Sequence, residues 1–328
     1  MFWYDVNMKI YSREEIESVL IKSELIEAVE EGFKQYSAGD VVVPPVGHLG
    51  FDNPPGDVHI KYGAVKGGDT FTIKISNGFY NNPQLGLSSS QGVILVFSQK
   101  TGVLEALLFD QGLITDMRTA AAGAVVAKYL APEHVTAVGV IGTGIQARLQ
   151  VELLSEVRAF TKIYVYGRRL EAVNEYISDM SAKGYEVESV EKISDLAKVA
   201  NLIVTTTPAR EAFLMAEDIQ PGTHITAMGS DGPDKQEIQP ELICEADVRV
   251  VDSRKQCFLY SDTSYALKAG LIEESSIVEL GEIISNNALG RTTDQQITFA
   301  DLTGVAVQDI VSAELILAKL GSDSSLSK

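Results

Sequence analysis

Three groups of residues in this chain have types and spacings suited to chemistry. The first is the run Ala137 to Ala147, AVGVIGTGIQA. An apolar strand ends there in G-x-G-x-x-A and opens a helix read as 145–157. Gly142 permits a tight turn, Gly144 lets the backbone approach a pyrophosphate, and Ala147 allows close helix–strand packing. The helix start at Ile145 and Gln146 offers amides and a partial positive charge to phosphates. A glycine-rich turn holding no ligand is the bland alternative. Five further strand signals downstream favour dinucleotide binding. The second group is Gly167-Arg168-Arg169, after the predicted strand 162–166. An acid at this point would take the ribose hydroxyls of NAD, but none occurs before Glu171. Two forked guanidiniums suit a 2′-phosphate instead, so NADPH is expected, with NADH left open.

The third group is a set of isolated charges. Lys74 lies in a strand whose alternate residues Phe71, Ile73 and Ile75 are apolar, so it faces the other way. Arg118 precedes an alanine run that suggests a buried helix, where an unpartnered charge is costly. His59 and Lys61 share one face of their strand by alternation. Asp231, within Gly229 to Pro233 (GSDGP), follows the fifth predicted parallel strand. Ligands of doubly wound sheets bind off the carboxyl ends of strands, although D-G-P is also a plain turn.

The elements that must position these residues fall into two patterns. An amphipathic helical region starts at Ser12 and carries Ile16, Val19, Leu20, Leu25, Ile26 and Val29. A turn-rich stretch, 44–56, leads to strands at 58–65, 70–76, 92–98 and 103–109. Gly67-Gly68 and Lys100-Thr101-Gly102 read as hairpin turns. Thr115 reads as the N-cap of an alanine-rich helix. From Val135 the pattern alternates: strands at 137–141, 162–166, 186–189, 202–206, 224–228 and 248–251 are separated by helical stretches, which predicts a parallel sheet. After Gly304 a last amphipathic helix carries Val307, Ile310, Val311, Leu315, Ile316 and Leu320, placed to fold back on the first part.

The expected fold is therefore α/β: a Rossmann-type doubly wound parallel sheet plus a smaller α+β domain for substrate and dimerisation. The expected division is 1–120 with 308–328, and 121–307. The net charge of −18 argues against nucleic acid and anionic membrane surfaces. Cys244 and Cys257 are too few for a disulfide framework or a zinc site, so no metal is expected. The start MFWYDVNMKI lacks a signal-peptide pattern and no apolar run approaches a membrane span, so a cytoplasmic location is expected.

These residues resemble the ornithine cyclodeaminase/μ-crystallin family. The likeness runs through Ile73-Lys74, NNPQLGLS from Asn82, Lys100-Thr101-Gly102, LITDMRTAA over 113–121, GTGIQA over 142–147 and MGSDGPDKQE over 228–237. The joining of R-T-A-A to GTG-x-Q-A is specific. The resemblance implies a homodimer, an α-amino or α-imino acid substrate, and a nicotinamide cofactor. It implies that Lys74 and Arg118 hold the substrate carboxylate, that Asp231 is an acid/base group, and that Ser89 meets the substrate. It further implies cofactor contacts from Thr119, Gly142, Gly144, Ile145, Gln146, Ala147, Arg168, Arg169, Thr207, Met228 and Gly229. Many members carry an arginine shortly after the first proline pair. Here the run is Pro44-Pro45-Val46-Gly47-His48. Lys61 is a candidate to replace that cation, with His59 as a candidate proton donor beside Lys74; a hairpin edge carrying solvated polar residues is the equal alternative, and which of the two residues stands in for the arginine is left open.

The function expected is NAD(P)H-dependent reduction of an α-imino acid, either a cyclic ketimine such as pyrroline-2-carboxylate or a linear imine such as iminosuccinate. An ornithine-type cyclodeaminase with retained NAD is the alternative within the same chemistry. A non-catalytic NADPH or small-ligand binder is the alternative from another class, disfavoured by the joint presence of Lys74, Arg118 and Asp231.

Overall fold

The computed structural model describes residues 8–79, 81–232 and 234–323. The last part of the serine-rich end, 324–328, lies outside them. The chain divides into two compact units, with boundaries at Thr119/Ala120 and Gly304/Val305.

The first unit holds β1 (Lys9–Tyr11), α1 (Arg13–Val19), α2 (Lys22–Ser37), β2 (Val41–Val42), β3 (Gly47–Asp52), β4 (Pro55–Val65), β5 (Thr70–Phe79), β6 (Ser90–Ser98) and β7 (Leu104–Leu108). It also holds the start of α3 (Leu113–Leu130) and the last helix of the chain. The sheet order is β1-β7-β6-β5-β4-β2, with β3 also on β4. All pairings are antiparallel except β1 with β7. Ser12 caps α1 in a capping box with Glu15. Both glycine turns close the hairpins foreseen. The β3–β4 hairpin begins in the stretch 44–56 expected as turns; Gly47, Gly50, Pro54 and Pro55 interrupt its alternation and hide it in the sequence.

Thr115 does not cap α3. The helix starts two residues earlier, and Asp110 Oδ2 accepts from the Ile114 N–H at 2.8 Å. Gln111 (φ 51°) and Gly112 (φ 88°) bend the chain into that position. An aspartate just outside the first turn satisfies an orphan donor that a threonine inside the helix cannot reach.

The second unit contains β8 (Val138–Ile141), α4 (Ile145–Leu154), β9 (Lys162–Tyr166), α5 (Leu170–Ala182), β10 (Glu186–Ser189), α6 (Ile193–Val199), β11 (Leu202–Thr205) and β12 (His224–Ala227). It continues with α7 (Pro240–Glu245), β13 (Val248–Val251), α8 (Arg254–Tyr260), α9 (Asp262–Lys268), β14 (Ile277–Glu279), α10 (Leu280–Ser285) and β15 (Thr298–Asp301). Its eight strands are parallel in the order β10-β9-β8-β11-β12-β15-β13-β14. The first five strands of this sheet thus stand third, second, first, fourth and fifth. That is the doubly wound arrangement, with its switch point between β8 and β11. The two faces of the sheet bury separate cores. Val138, Val140, Ile163 and Val165 pack with Val151, Leu154, Tyr176 and Met180. Ile141, Ile203, Ile225 and Phe299 pack with Leu196, Leu242 and Ile243. α4 ends three residues short of the expected 157.

The last helix, α11 (Ala306–Asp323), belongs to the first unit and packs across β4 and β5. It lies close against α2, where Val307 and Val311 stand 3.1–3.3 Å from the position a Cβ on Gly32 would take. Among the described residues no helix is long and apolar enough to cross a membrane.

Candidate functional site

In the second unit the glycine turn stands at the switch point. Gly142 has φ +124°, and a Cβ there would lie 2.4 Å from Thr206 Oγ1, so both backbone and space demand glycine. Gly144 is the opposite case, since a Cβ would meet nothing within 4 Å. Its Cα therefore borders open space where a phosphate can approach. Ile145 and Gln146 open α4 immediately after it, and Ala147 is fully buried. Arg148 braces this turn, a role the sequence reading missed. Its Nη1 donates to the carbonyls of Thr143 (2.5 Å) and Gly144 (3.2 Å), and its Nε donates to Asp179 (2.8 Å).

A cleft of about 1000 Å³ opens beside the turn, lined by Gly142 to Gly144, Tyr166 to Arg169 and Thr206 to Glu211. That lies at the upper end of the range for ligand pockets and leaves room for an extended ligand. Arg168 and Arg169 are exposed on its wall. At its far side Glu237 is fully buried and accepts four hydrogen bonds: Thr205 Oγ1 (2.6 Å), Thr207 N (2.7 Å), Thr207 Oγ1 (2.7 Å) and Gly229 N (2.8 Å). Burial pushes its carboxyl upward, while the donors from Thr205, Thr207 and Gly229 oppose that shift. Glu237 thus ties the end of β11 to the loop after β12. Met228 joins the same ends by donating its N–H to the Thr205 carbonyl at 3.1 Å. Asp231 lies beyond, with Oδ1 at 2.6 Å from Lys235 Nζ. The sequence reading expected Asp231 but not its lysine.

In the first unit the structure brings Lys74 and Arg118 together on a residue not foreseen, Asp309 of α11. Lys74 Nζ is 3.0 Å from Asp309 Oδ1, at ion-pair distance, and Arg118 Nε donates to the same oxygen at 2.9 Å. Arg118 Nη1 also reaches Gln308 Oε1 at 3.4 Å. Lys61 stands opposite Lys74 in the β4–β5 register, and both side chains are buried. Burial, then the Arg118 charge, pulls the Lys74 amine down to about 7, against the pull of Asp309. Burial would raise the Asp309 carboxyl, but Arg118, Lys74 and Lys61 together hold it below its usual range. Asp110 is the other carboxyl within the influence of Lys74, and burial raises it. Arg118, Lys74 and Lys61 thus all act on Asp309, and Lys74 acts on Asp110 as well. Asp309 Oδ2, Asp110 Oδ1 and Thr72 Oγ1 are buried with no hydrogen-bond partner among the described residues.

The other expected residues are less concentrated. His59 is half-buried two positions from Lys61 on the same face of β4. Ser89 is exposed, and its carbonyl accepts from Phe79 N at 2.9 Å. Thr119 donates its hydroxyl to the Thr115 carbonyl at 2.7 Å inside α3.

A doubly wound sheet with an open glycine turn and a wide cleft at its switch point defines a dinucleotide-binding protein. The separate sheet carries a buried cationic cluster of the kind that can receive a small anion. The chain belongs to the ornithine cyclodeaminase/mu-crystallin family, whose model matches residues 6–324. The Δ1-pyrroline-2-carboxylate reductase of Thermococcus litoralis, solved with NADH and L-proline, is 31% identical with a TM-score of 0.90, over 97% of this chain and 98% of that one. An archaeal alanine dehydrogenase dimer with bound NAD is 31% identical with a TM-score of 0.89, over 97% of each chain. The iminosuccinate reductase of Paracoccus denitrificans, in complex with NAD+, is 29% identical with a TM-score of 0.86, over 97% of each chain.

Proposed function

We propose that this protein is a nicotinamide-dependent oxidoreductase that reduces an α-imino acid to the amino acid. One observation carries the reading: the buried cluster of Lys61, Lys74 and Arg118 around Asp309 in the first unit. A forked guanidinium and a buried amine held side by side on one carboxylate, whose Oδ2 accepts nothing among the described residues, suit an anion, and the substrate carboxylate is the natural one. Arg118 supplies a fork held in place by Asp309 and Gln308. Lys74, with its amine near 7, exists in both protonation states at neutral pH and can deliver a proton to the imine nitrogen and regain it. His59 is the second candidate donor, on the same sheet face.

A bound nicotinamide supplies the hydride that reaches the α-carbon. The glycine turn with the start of α4 holds its pyrophosphate, and Thr119, Thr207, Met228 and Gly229 contribute further contacts. NADPH is the preferred form, because Arg168 and Arg169 line the cleft at the end of β9, where an acid would otherwise take the ribose. Ser89 contacts the substrate. Asp231, held by Lys235, handles the positive charge that develops on the substrate nitrogen.

The working form is a homodimer. The outer face of the first unit's sheet exposes Leu49, Phe51, Ile60 and Tyr62 beside the stacked rings of Phe71 and Phe97, an apolar surface suited to a second copy. The direct test is to follow reduced-nicotinamide consumption with pyrroline-2-carboxylate, piperideine-2-carboxylate and iminosuccinate. Ammonia release from ornithine without added cofactor would instead establish the cyclodeaminase alternative.

A further inference from the structure

His48, Asp57 and His59 come together on the β3–β4 hairpin. His48 and His59 are directly paired across the two strands, and their rings meet edge to face with centroids 5.0 Å apart. Asp57 precedes His59 by two positions on β4, so its side chain leaves the same face. Its cross-strand neighbours are Gly50 on β3 and Gly78 on β5, so neither places a side chain over the carboxylate. His59 Nε2 stands 3.7 Å from Asp57 Oδ2, beyond hydrogen-bond range. One ligand-type atom from each of the three residues lies within 4.8 Å of the other two.

The geometry points to a divalent metal site formed by His48, Asp57 and His59. A tetrahedral ion with bonds of about 2.0–2.2 Å separates its ligand atoms by about 3.3–3.6 Å, close to the His59–Asp57 spacing. Two neutral imidazoles and one carboxylate suit a borderline ion such as Zn²⁺, whereas Mg²⁺ and Ca²⁺ prefer oxygen sets. The hairpin holds His48 and His59 in register and Asp57 joins them from β4, two positions before His59, so side-chain rotation brings the three onto one ion. Three protein ligands leave one position for water or a ligand oxygen, on the sheet face that also carries Lys61. The sequence conceals the site, because its ligands are separated by a proline-containing turn and match no standard spacing. Occupancy excludes proton donation by the same nitrogen of His59, so the loaded form leaves Lys74 as the acid.

The test needs no turnover and is independent of the imine-reductase reading. Chelator-treated full-length protein is titrated with Zn²⁺ by calorimetry, and with Co²⁺ by visible absorption. One ion per chain is expected, with tetrahedral Co²⁺ bands. His48→Ala and Asp57→Asn should each weaken binding by at least about tenfold. Cys244→Ser, the control for a half-exposed thiol, should leave binding unchanged. Zinc should also raise the melting temperature of the wild type and not that of His48→Ala. Absence of stoichiometric binding, or binding that survives His48→Ala in a protein with wild-type circular dichroism, overturns the proposal.

Discussion

Asp309 receives Arg118 on the same carboxylate oxygen, Oδ1, that faces Lys74, and its Oδ2 takes no hydrogen bond among the described residues. One carboxylate therefore orients two cations while keeping acceptor capacity of its own. In the proposed function, a substrate carboxylate arriving at these cations need not displace Asp309, which can hold Arg118 and Lys74 in place.

Asp309→Asn should be costly for folding. The amide retains the shape but leaves Lys74 and Arg118 buried without their counter-charge. Breaking a buried pair in this way typically costs about 3–5 kcal/mol. Urea denaturation measures it, and a loss under about 1 kcal/mol would mean that water already solvates the cluster.

The pH profile of turnover should report Lys74. Its amine is pulled down to about 7, so the protonated donor is lost as pH rises through that value and kcat should fall there. Lys74→Ala should lower kcat by about 10²–10⁴-fold. In any Asp309→Asn protein that remains folded, the falling limb should move to lower pH, because removing an anion destabilises the protonated amine. A limb that stays in place in that variant assigns it to another group.

Much of this was legible in the sequence, and what was missed has physical causes. β9 and β13 fall at the predicted residues, because short apolar runs bounded by polar residues suit buried parallel strands, and the exposed edge strand β10 also falls at its predicted bounds. The placement of Lys74 opposite the apolar residues of its strand follows from period-two alternation alone. Asp309 was invisible as a partner, because it meets Arg118 across 191 positions of chain. A signal was present, since Val305 to Val307 precede and Ile310 and Val311 follow the pair Gln308-Asp309, which places its charge within a buried stretch. β15 escaped because its ends are polar: Thr298 bonds His224, and Asp301 accepts from Ser261 and Thr263. Buried side-chain hydrogen bonds make those residues read as a turn.

Glu237→Gln tests whether the cofactor loops depend on one carboxylate. The amide must turn its NH2 toward N–H or O–H donors from Thr205, Thr207 or Gly229. An unmade buried hydrogen bond costs about 1–3 kcal/mol. Dinucleotide binding, followed by nicotinamide fluorescence, should weaken by about tenfold or more. Lower stability with unchanged affinity would make Glu237 a purely structural residue.

Cofactor preference should rest on the end of β9. Replacing Arg168 and Arg169 by Ala should raise KM for NADPH far more than for NADH. A contact to a charged phosphate contributes about 1.5–3 kcal/mol, and the exposure of both side chains favours the lower end. An unchanged NADPH/NADH ratio in the double variant would show that the arginines only solvate the start of α5.

Asp231 separates reduction from cyclodeamination. A reductase delivers one proton near nitrogen for each hydride, and Lys74 or His59 can provide it. A cyclodeaminase must remove and return protons at nitrogen several times in each turnover. Asp231 is already paired with Lys235 at 2.6 Å, so its carboxylate is best suited to stabilising positive charge. Asp231→Asn removes that charge and keeps the shape. With a cyclic imine and reduced cofactor, the change should lower kcat by less than about tenfold, whereas loss of a general base would cost about 10²–10⁴-fold. His59→Gln should have the larger effect if His59 shares the donor role with Lys74. The measurement is kcat against pH for both variants, with a cyclic imine and with ornithine. A collapse of imine reduction in Asp231→Asn, with His59→Gln near wild type, would transfer the proton-donor role from the first unit to Asp231.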